Sequence, residues 1–322
     1  MTRFYTCLII AAAFAIAVPL TVPMAAHAAE IDAEAGNDAT IRDGVAAILR
    51  AQVLLERAHF SPGEIDARMG SNTRRAIAGF QRLHGLDDTG ELDEPTWTAL
   101  NADAGPALVA YTVTAADAAG PFHDAPDDMM AKAKLATLGY ASAEEALAEK
   151  FHASPALLQQ LNTGEWSDAG TRIVVPNTAG LSMPATATQV IVDKSDSTVS
   201  LADAAGKVYA QYPATTGSEH DPLPIGEWKI NGVARDPVFH YNPDLFWDAD
   251  PSHAKAKIPA GPNNPVGVVW IDLSKPHYGI HGTPEPSTIG KTQSHGCIRL
   301  TNWSAHEVAS AVAPGTPAVL RE

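Results

Sequence analysis

The C-terminal part of the chain consists of short apolar runs separated by proline and glycine, and this pattern limits the folds that it can adopt. Such runs are typical of strands that bury one or both faces. The predicted strands are Gln189–Val192, Thr198–Leu201, Val208–Tyr212, Trp228–Ile230, Val268–Leu273 and Tyr278–His281. Ser304 and Glu307 have the spacing of a capping box, which predicts one helix starting there. Residues 187–322 are therefore predicted to form a mostly-β, β-sandwich-like domain.

The first 29 residues have the pattern of a secretory signal peptide. Arg3 precedes an apolar stretch, LIIAAAFAIAVPL, and small residues around Ala26-His27-Ala28 resemble a cleavage site. The stretch is short for a membrane span, so no span is expected in the mature form, although a retained anchor is the alternative. Export to the periplasm or cell envelope is predicted, and Cys7 would leave with the signal peptide.

Length and charge restrict the organisation and the partners. A chain of 322 residues is long enough for two or three domains. The net charge of −15 argues against nucleic acid as a partner, because phosphate binding needs clustered Lys and Arg. It argues equally against an anionic membrane surface. Residues 30–40 are small and polar and are predicted to be a flexible start.

Residues 41–101 have a helical pattern and a family resemblance. Val45, Ile48, Leu49 and Val53 are spaced for one helix face, and a second helix is predicted from Ser71 to Leu83. Glu94-Pro95 starts a third. The phrases SPGEID, SNTRRAIAGFQRLHGL and GELDEPTWTAL resemble the peptidoglycan-binding domain 1 family, which implies binding to wall glycan. A helical spacer that no longer binds glycan is the alternative.

Residues 107–180 predict a small α+β segment. A strand at Tyr111-Thr112-Val113, two helices around Leu147–His152 and Ser154–Leu158, and a strand at Gly170–Pro176 follow in order. This order is similar to that of a LysM glycan-binding module. An insertion through residues 117–143 interrupts the similarity.

Cys297, in the phrase SHGCIRL, is the only cysteine that would remain after signal cleavage. A thiol is only partly ionised at neutral pH, so a nucleophilic cysteine needs a base, and histidine is the usual one. His295 is two residues away, whereas His281 ends a predicted strand and could approach from a neighbouring strand. Gly282 and Gly296 would allow close backbone approach, and backbone N–H groups near Gly296 and Cys297 could stabilise an oxyanion.

Cys297 could also have a role other than that of a nucleophile. A buried, inert cysteine is common in proteins. His281, His295 and Cys297 could bind zinc, but no fourth ligand with a known spacing is evident. A papain-like peptidase has its cysteine before its histidine, and here the order is reversed.

The longer phrase HGTPEPSTIGKTQSHGCIRL resembles the signature of the L,D-transpeptidase catalytic domain of the YkuD family. The resemblance implies that Cys297 is the nucleophile, that His281 is the base and that the Gly282 carbonyl orients it. It implies that Ser294, His295 and Gly296 shape the site and the oxyanion hole. Arg299 and Tyr278 are the candidate substrate-binding residues.

The same resemblance implies an acyl transfer on peptidoglycan stem peptides, and no cofactor or metal is expected. Cys297 would form a thioester with the third residue of a tetrapeptide stem and expel the terminal D-alanine. The acceptor stays open: a diaminopimelate amine, a lysine of an outer-membrane lipoprotein, or water, which would make the enzyme an L,D-carboxypeptidase or hydrolase. A wall-binding protein without catalysis is the alternative from another class.

Overall fold

The computed structural model describes residues 33–178 and 182–322. The predicted signal peptide, residues 1–29, lies outside the described residues. Among the helices that are described, none has both the length and the apolar character needed to cross a bilayer.

The N-terminal segment contains the helices α1 (Ala33–Asn37), α2 (Val45–Arg57), α3 (Ser71–His84) and α4 (Glu94–Leu100). The sequence determines their ends. α3 stops at Gly85, whose φ of 68° is a left-handed conformation that glycine adopts readily. α4 starts after Asp93, whose carboxylate accepts a hydrogen bond from the N–H of Thr96 at 2.9 Å. The predicted three-helix unit is confirmed as α2, α3 and α4.

Part of the segment predicted as a flexible start is ordered. Ala33–Asn37 forms the short helix α1, and the Asn37 side chain bonds both the N–H and the carbonyl of Leu108. Arg50 donates to the Asn37 carbonyl at 3.0 Å. These contacts join sequence-distant residues, which is why the local composition did not predict them.

The middle segment contains the strands and helices β1 (Leu108–Thr112), α5 (Met129–Lys132), α6 (Ala143–Lys150), α7 (Pro155–Leu161) and β2 (Arg172–Pro176). β1 and β2 pair antiparallel, with Leu108 opposite Pro176. The predicted order of strand, two helices and strand is present, with α5 in the insertion. The similarity to a LysM module is not confirmed and stays a prediction.

The C-terminal segment confirms the mostly-β prediction. Its strands are β3 (Gln189–Asp193), β4 (Thr198–Ala202), β5 (Val208–Pro213), β6 (Gly226–Arg235), β7 (Phe239–Tyr241), β8 (Ala256–Ile258), β9 (Val269–Leu273), β10 (Gly279–His281), β11 (Ile298–Arg299) and β12 (Pro317–Arg321). In the described part of this segment, eight strands form one sheet in the order β11-β10-β9-β6-β12-β3-β4-β5. β7 and β8 pair separately.

β6 connects the two halves of this sheet. Its first residues pair with β12 and its later residues pair with β9, and the register shifts between Ile230 and Gly232. A bulge bends a strand and increases its twist, so the two halves can enclose one core. That core includes Val190, Ile271 and Ile298, all fully buried.

The helix predicted after Cys297 is present as α8 (Asn302–Ala311), but it starts earlier than expected. The capping box assigned to Ser304 is wrong, because Thr301 is the N-cap and its hydroxyl accepts from the N–H of Ser304 at 3.2 Å. The earlier start places Asn302 in the first turn. Ala305 and Val308 pack into the core beneath the sheet.

The helical unit is joined to the sheet and to the middle segment by buried contacts. Phe60 forms a parallel bridge with Gln211 on the edge strand β5, and the Ser61 N–H donates to the Gln211 carbonyl at 2.8 Å. Within α2, Leu54 packs in the core of the helical unit whereas Leu49 packs in that of the middle segment. Because residues of one helix contribute to the cores of two segments, these segments are not structurally independent.

Candidate active site

The pairing of β10 with β11 places the two predicted reacting side chains on the same face of the sheet. The strands are parallel, with Ile280 aligned with Ile298 and His281 aligned with Arg299. Aligned residues share a face and successive residues alternate faces. Ile280 and Ile298 point into the core, so His281 and Arg299 point to the other face, and Cys297, two residues before Arg299, lies on that face as well.

His281 is held in one orientation by its neighbours. Only 4% of it is exposed, its Nδ1 lies 2.7 Å from the Gly282 carbonyl, and its ring stacks on Trp270. Because a carbonyl can only accept, Nδ1 carries the proton and Nε2 has a free lone pair. Burial, with a contribution from the Arg299 charge, lowers the pKa of His281 to about 3. The imidazole is thus neutral at physiological pH, as a proton acceptor must be.

Cys297 is half-buried and follows Gly296, whose backbone has a positive φ. Its thiol donates to the His277 carbonyl at 3.7 Å, so the S–H bond would have to turn away from that carbonyl before its proton could pass to a base. Burial raises the pKa of the Cys297 thiol, while the Gly279 N–H and the Arg299 charge oppose that rise. The resting site therefore holds a neutral thiol and a neutral imidazole.

The residues before Cys297 shape the backbone around the sulfur. Ser294 is buried and donates its hydroxyl to the Cys297 carbonyl at 2.6 Å. Gly296 has a φ of 92°, and a side chain there would overlap the ring of Tyr278. Within the described residues, no hydrogen bond occupies the backbone N–H groups of Gly296 and Cys297. These N–H groups are free to receive a developing negative charge.

His295 is directed toward a different part of the molecule. Its Nε2 lies 2.9 Å from Asp248, and its ring contacts Phe246 edge-on. Both partners belong to the loop between β7 and β8. The histidine nearer to Cys297 in sequence is thus engaged by a neighbouring loop.

Arg299 and Tyr278 border the sulfur with charge and an aromatic ring. The guanidinium of Arg299 is partly buried, and among the residues that the structure describes it makes neither a hydrogen bond nor an ion pair. Burial lowers the pKa of the Arg299 guanidinium, while Cys297 and Glu285 oppose that fall. Burial raises the pKa of Tyr278, and its ring packs against Gly296. An unpaired, partly buried arginine suits a carboxylate ligand.

The sequence patterns did not indicate several residues of the site. Trp270 stacks on His281, the His277 carbonyl accepts from the thiol, and Asn302 packs against Gly282. Asn302 follows Arg299 by three positions, and only that short spacing could have indicated it. Among the described residues no group of His, Cys, Asp and Glu has a metal-binding arrangement.

Comparison with known proteins identifies the family. Residues 187–320 match the family model described as "L,D-transpeptidase catalytic domain", and residues 45–100 match "Putative peptidoglycan binding domain". The "Putative L,D-transpeptidase YkuD" of Bacillus licheniformis is 35% identical over 177 residues, which cover 53% of this chain and 89% of that protein. This chain belongs to the YkuD family of L,D-transpeptidases. Both family resemblances seen in residues 41–101 and 187–322 are thereby confirmed.

Further relatives have the same description. The protein of the same name in Bacillus subtilis is 33% identical over 172 residues, covering 53% of this chain and 88% of that one. A solved L,D-transpeptidase from Xylanimonas cellulosilytica has a TM-score of 0.36 and 14% identity, covering 85% of this chain and 92% of that chain.

Proposed function

We propose that this protein is a peptidoglycan L,D-transpeptidase of the periplasm or cell envelope, exported by its signal peptide, with Cys297 as nucleophile and His281 as general base. The supporting observation is that the thiol and a neutral, oriented imidazole lie on one face of two paired strands, beside free backbone N–H groups. Membership of the YkuD family supports the same activity.

In the proposed first step, the sulfur of Cys297 attacks the carbonyl carbon of the third stem residue while Nε2 of His281 takes the thiol proton. The negative charge moves to the carbonyl oxygen, where the N–H groups of Gly296 and Cys297 stabilise it. Collapse breaks the C–N bond to the terminal D-alanine, whose amine receives the proton from His281. A thioester on Cys297 remains.

In the second step, an amine attacks the thioester carbon and His281 takes the proton from that amine. The C–S bond then breaks, and the thiol is restored by the proton on His281. A diaminopimelate amine would give a 3→3 cross-link, and a lipoprotein lysine would anchor that protein to the wall. Water in place of the amine would give hydrolysis.

The charges around the site suit a donor stem peptide that carries a carboxylate near the bond to be broken. Arg299 is a partly buried cation without an ion-pair partner among the described residues, so it is placed to bind a carboxylate of the stem. Tyr278 packs beside Gly296 and forms a wall of the same site. The helical unit, residues 41–101, would hold the enzyme on glycan.

The activity is tested by incubating the purified mature protein with a disaccharide-tetrapeptide, with and without an added amine, and measuring products by mass spectrometry. We expect loss of D-alanine in both cases and a cross-linked mass only with the amine. Formation of tripeptide alone would support the hydrolase. An unchanged tetrapeptide, with folded protein, would contradict the proposal and support a wall-binding protein without catalysis.

Substitution of Gly282 tests the orientation of the base. A Cβ at this position would overlap the side-chain oxygen of Asn302, which is buried and cannot withdraw. Gly282→Ala should therefore move the carbonyl that holds His281 and slow acylation of Cys297 by a carbapenem by about 10²-fold, the typical effect of a small misplacement. Stopped-flow measurement of the acylation rate checks this.

Gly232→Ala is the matched control for Gly282→Ala. Gly232 lies in the same sheet, and a Cβ there meets nothing within 4 Å. This variant should keep the wild-type acylation rate. Equal rates in Gly282→Ala and Gly232→Ala would show that the Gly282 carbonyl does not position the base.

A further inference from the structure

A carboxylate of the middle segment contacts the C-terminal segment. Glu149, in the last turn of α6, accepts a hydrogen bond from Nδ2 of Asn302 at 2.9 Å. Its other oxygen accepts from the hydroxyl of Tyr140 at 2.9 Å. Glu149 and Asn302 are 153 residues apart in sequence, so this contact exists only because the two segments pack together.

Asn302 is held on every side. It is 1% exposed, and its Nδ2 also donates to the Pro262 carbonyl at 3.2 Å. Its side-chain oxygen accepts from the N–H of Val268 at 3.2 Å and lies against the Cα of Gly282. With acceptors on one side and a donor on the other, the carboxamide has one favourable orientation.

We propose that Glu149 is a positioning residue for the catalytic base, acting through Asn302 and Gly282 on His281. The inference rests on the proposed function for the role of His281. Glu149 holds the carboxamide of Asn302, Asn302 packs against Gly282, and the Gly282 carbonyl holds Nδ1–H of His281 at 2.7 Å. The middle segment thereby contributes to the geometry of a site built on β10 and β11.

The partial burial of Glu149 supports a role beyond packing. Burial raises the pKa of Glu149 to about 7, against the opposing hydrogen bonds from Asn302 and Tyr140. Glu145 adds to the rise and His152 reduces it. Removing a carboxylate from water costs free energy that burial of an apolar side chain would not, so packing alone does not account for a carboxylate at this contact.

The test compares Glu149→Ala, Glu149→Gln and the control His152→Asn in the full mature chain. His152 lies at the same junction, since its Nδ1 lies 2.7 Å from Glu56 and its ring stacks on Trp303, the residue after Asn302. These side-chain contacts do not involve Gly282 or His281, and His152 makes the smallest of the contributions to the pKa of Glu149. Asparagine suits its φ of 55°. Thermal midpoints, carbapenem acylation rates and the Nδ1–H resonance of His281 in ¹⁵N-histidine-labelled protein are measured for each.

Glu149→Ala should slow acylation by about tenfold or more and shift or broaden the His281 Nδ1–H resonance. Glu149→Gln should keep the acylation rate and the His281 resonance at their wild-type values. Its amide oxygen can accept from Asn302 while its amide nitrogen donates to the hydroxyl of Tyr140. His152→Asn should lower the thermal midpoint but keep the rate and the resonance. If Glu149→Ala does not fold, Glu149→Asp, which retracts the carboxylate by one methylene, is expected to slow acylation in the same way.

A wild-type rate and resonance in folded Glu149→Ala would overturn the inference, as would the same losses in His152→Asn. Failure of the proposed function can be distinguished from failure of this inference about Glu149. In that case the wild-type protein would not be acylated at all, whereas the His281 resonance would still report whether Glu149 positions the ring.

Discussion

Replacement of Cys297 by serine should abolish both acylation by a carbapenem and turnover of a tetrapeptide stem. A hydroxyl beside the same imidazole is a far weaker nucleophile than a thiol, so a loss of about 10⁴-fold or more is expected. The structure gives no reason for the fold to suffer, because Cys297 is half-buried and its side-chain bond to the His277 carbonyl can also be made by a hydroxyl. Intact-protein mass spectrometry after carbapenem treatment and product analysis measure the two losses.

Ser294→Ala is a useful comparison for Cys297→Ser. It removes the 2.6 Å hydrogen bond to the Cys297 carbonyl but leaves the thiol, so covalent trapping should be slowed and not abolished. Retained turnover in a folded Cys297→Ser protein would show that the nucleophile has been assigned wrongly.

The strands that carry the site were predictable because their apolar residues are local signals. Val269–Leu273 and Gly279–His281 match the predicted runs to within a residue. The Pro- and Gly-rich connections also follow from sequence, since these residues fix or free the backbone. β11 was not among the predicted apolar runs, because two residues carry no periodicity, although a strand paired beside His281 was considered possible from the sequence.

The contacts that hold the site residues in place could not be predicted, since they join residues that are distant in sequence. No local pattern links Glu149 to Asn302, or Phe60 to the edge of β5. The N-cap of α8 was also predicted wrongly from a local pattern. Ser304 and Glu307 fit the capping-box spacing, yet Thr301 caps the helix, and the hydroxyl of Tyr212 donates to Glu307 instead.

The shared cores have a consequence for the predicted wall-binding unit. α2 contributes Leu54 to one core and Leu49 to another, and residues 60 and 61 extend the sheet at β5. Glycan bound by residues 41–101 would therefore be held at a fixed position relative to Cys297. Such an arrangement favours stem peptides close to the bound strand over those at a distance, because binding at one site raises the effective concentration at the other.

The two histidines near Cys297 should respond differently to substitution. His281→Ala removes the proposed base, and base assistance contributes ~10²–10⁴-fold, so carbapenem acylation should slow by about that factor. Because the pKa of His281 is lowered to about 3, the wild-type rate should fall only as the pH approaches that value. Without the base, reaction needs the thiolate, and since the pKa of Cys297 is raised, the variant rate should rise steadily with pH through neutrality. Acylation rates measured across the pH range check both profiles.

His295→Ala is the matched control for His281→Ala, since it removes a histidine two residues from Cys297 whose ring is bonded to Asp248. Loss of that contact frees the loop carrying Phe246 and Asp248, so substrate placement should weaken while the pH profile keeps its position. The geometric reason is that Nε2 of His295 is engaged by a carboxylate, whereas Nε2 of His281 is left free by the bond from Nδ1–H to Gly282. A shifted profile in the His295 variant together with an unshifted one in the His281 variant would require the two roles to be exchanged.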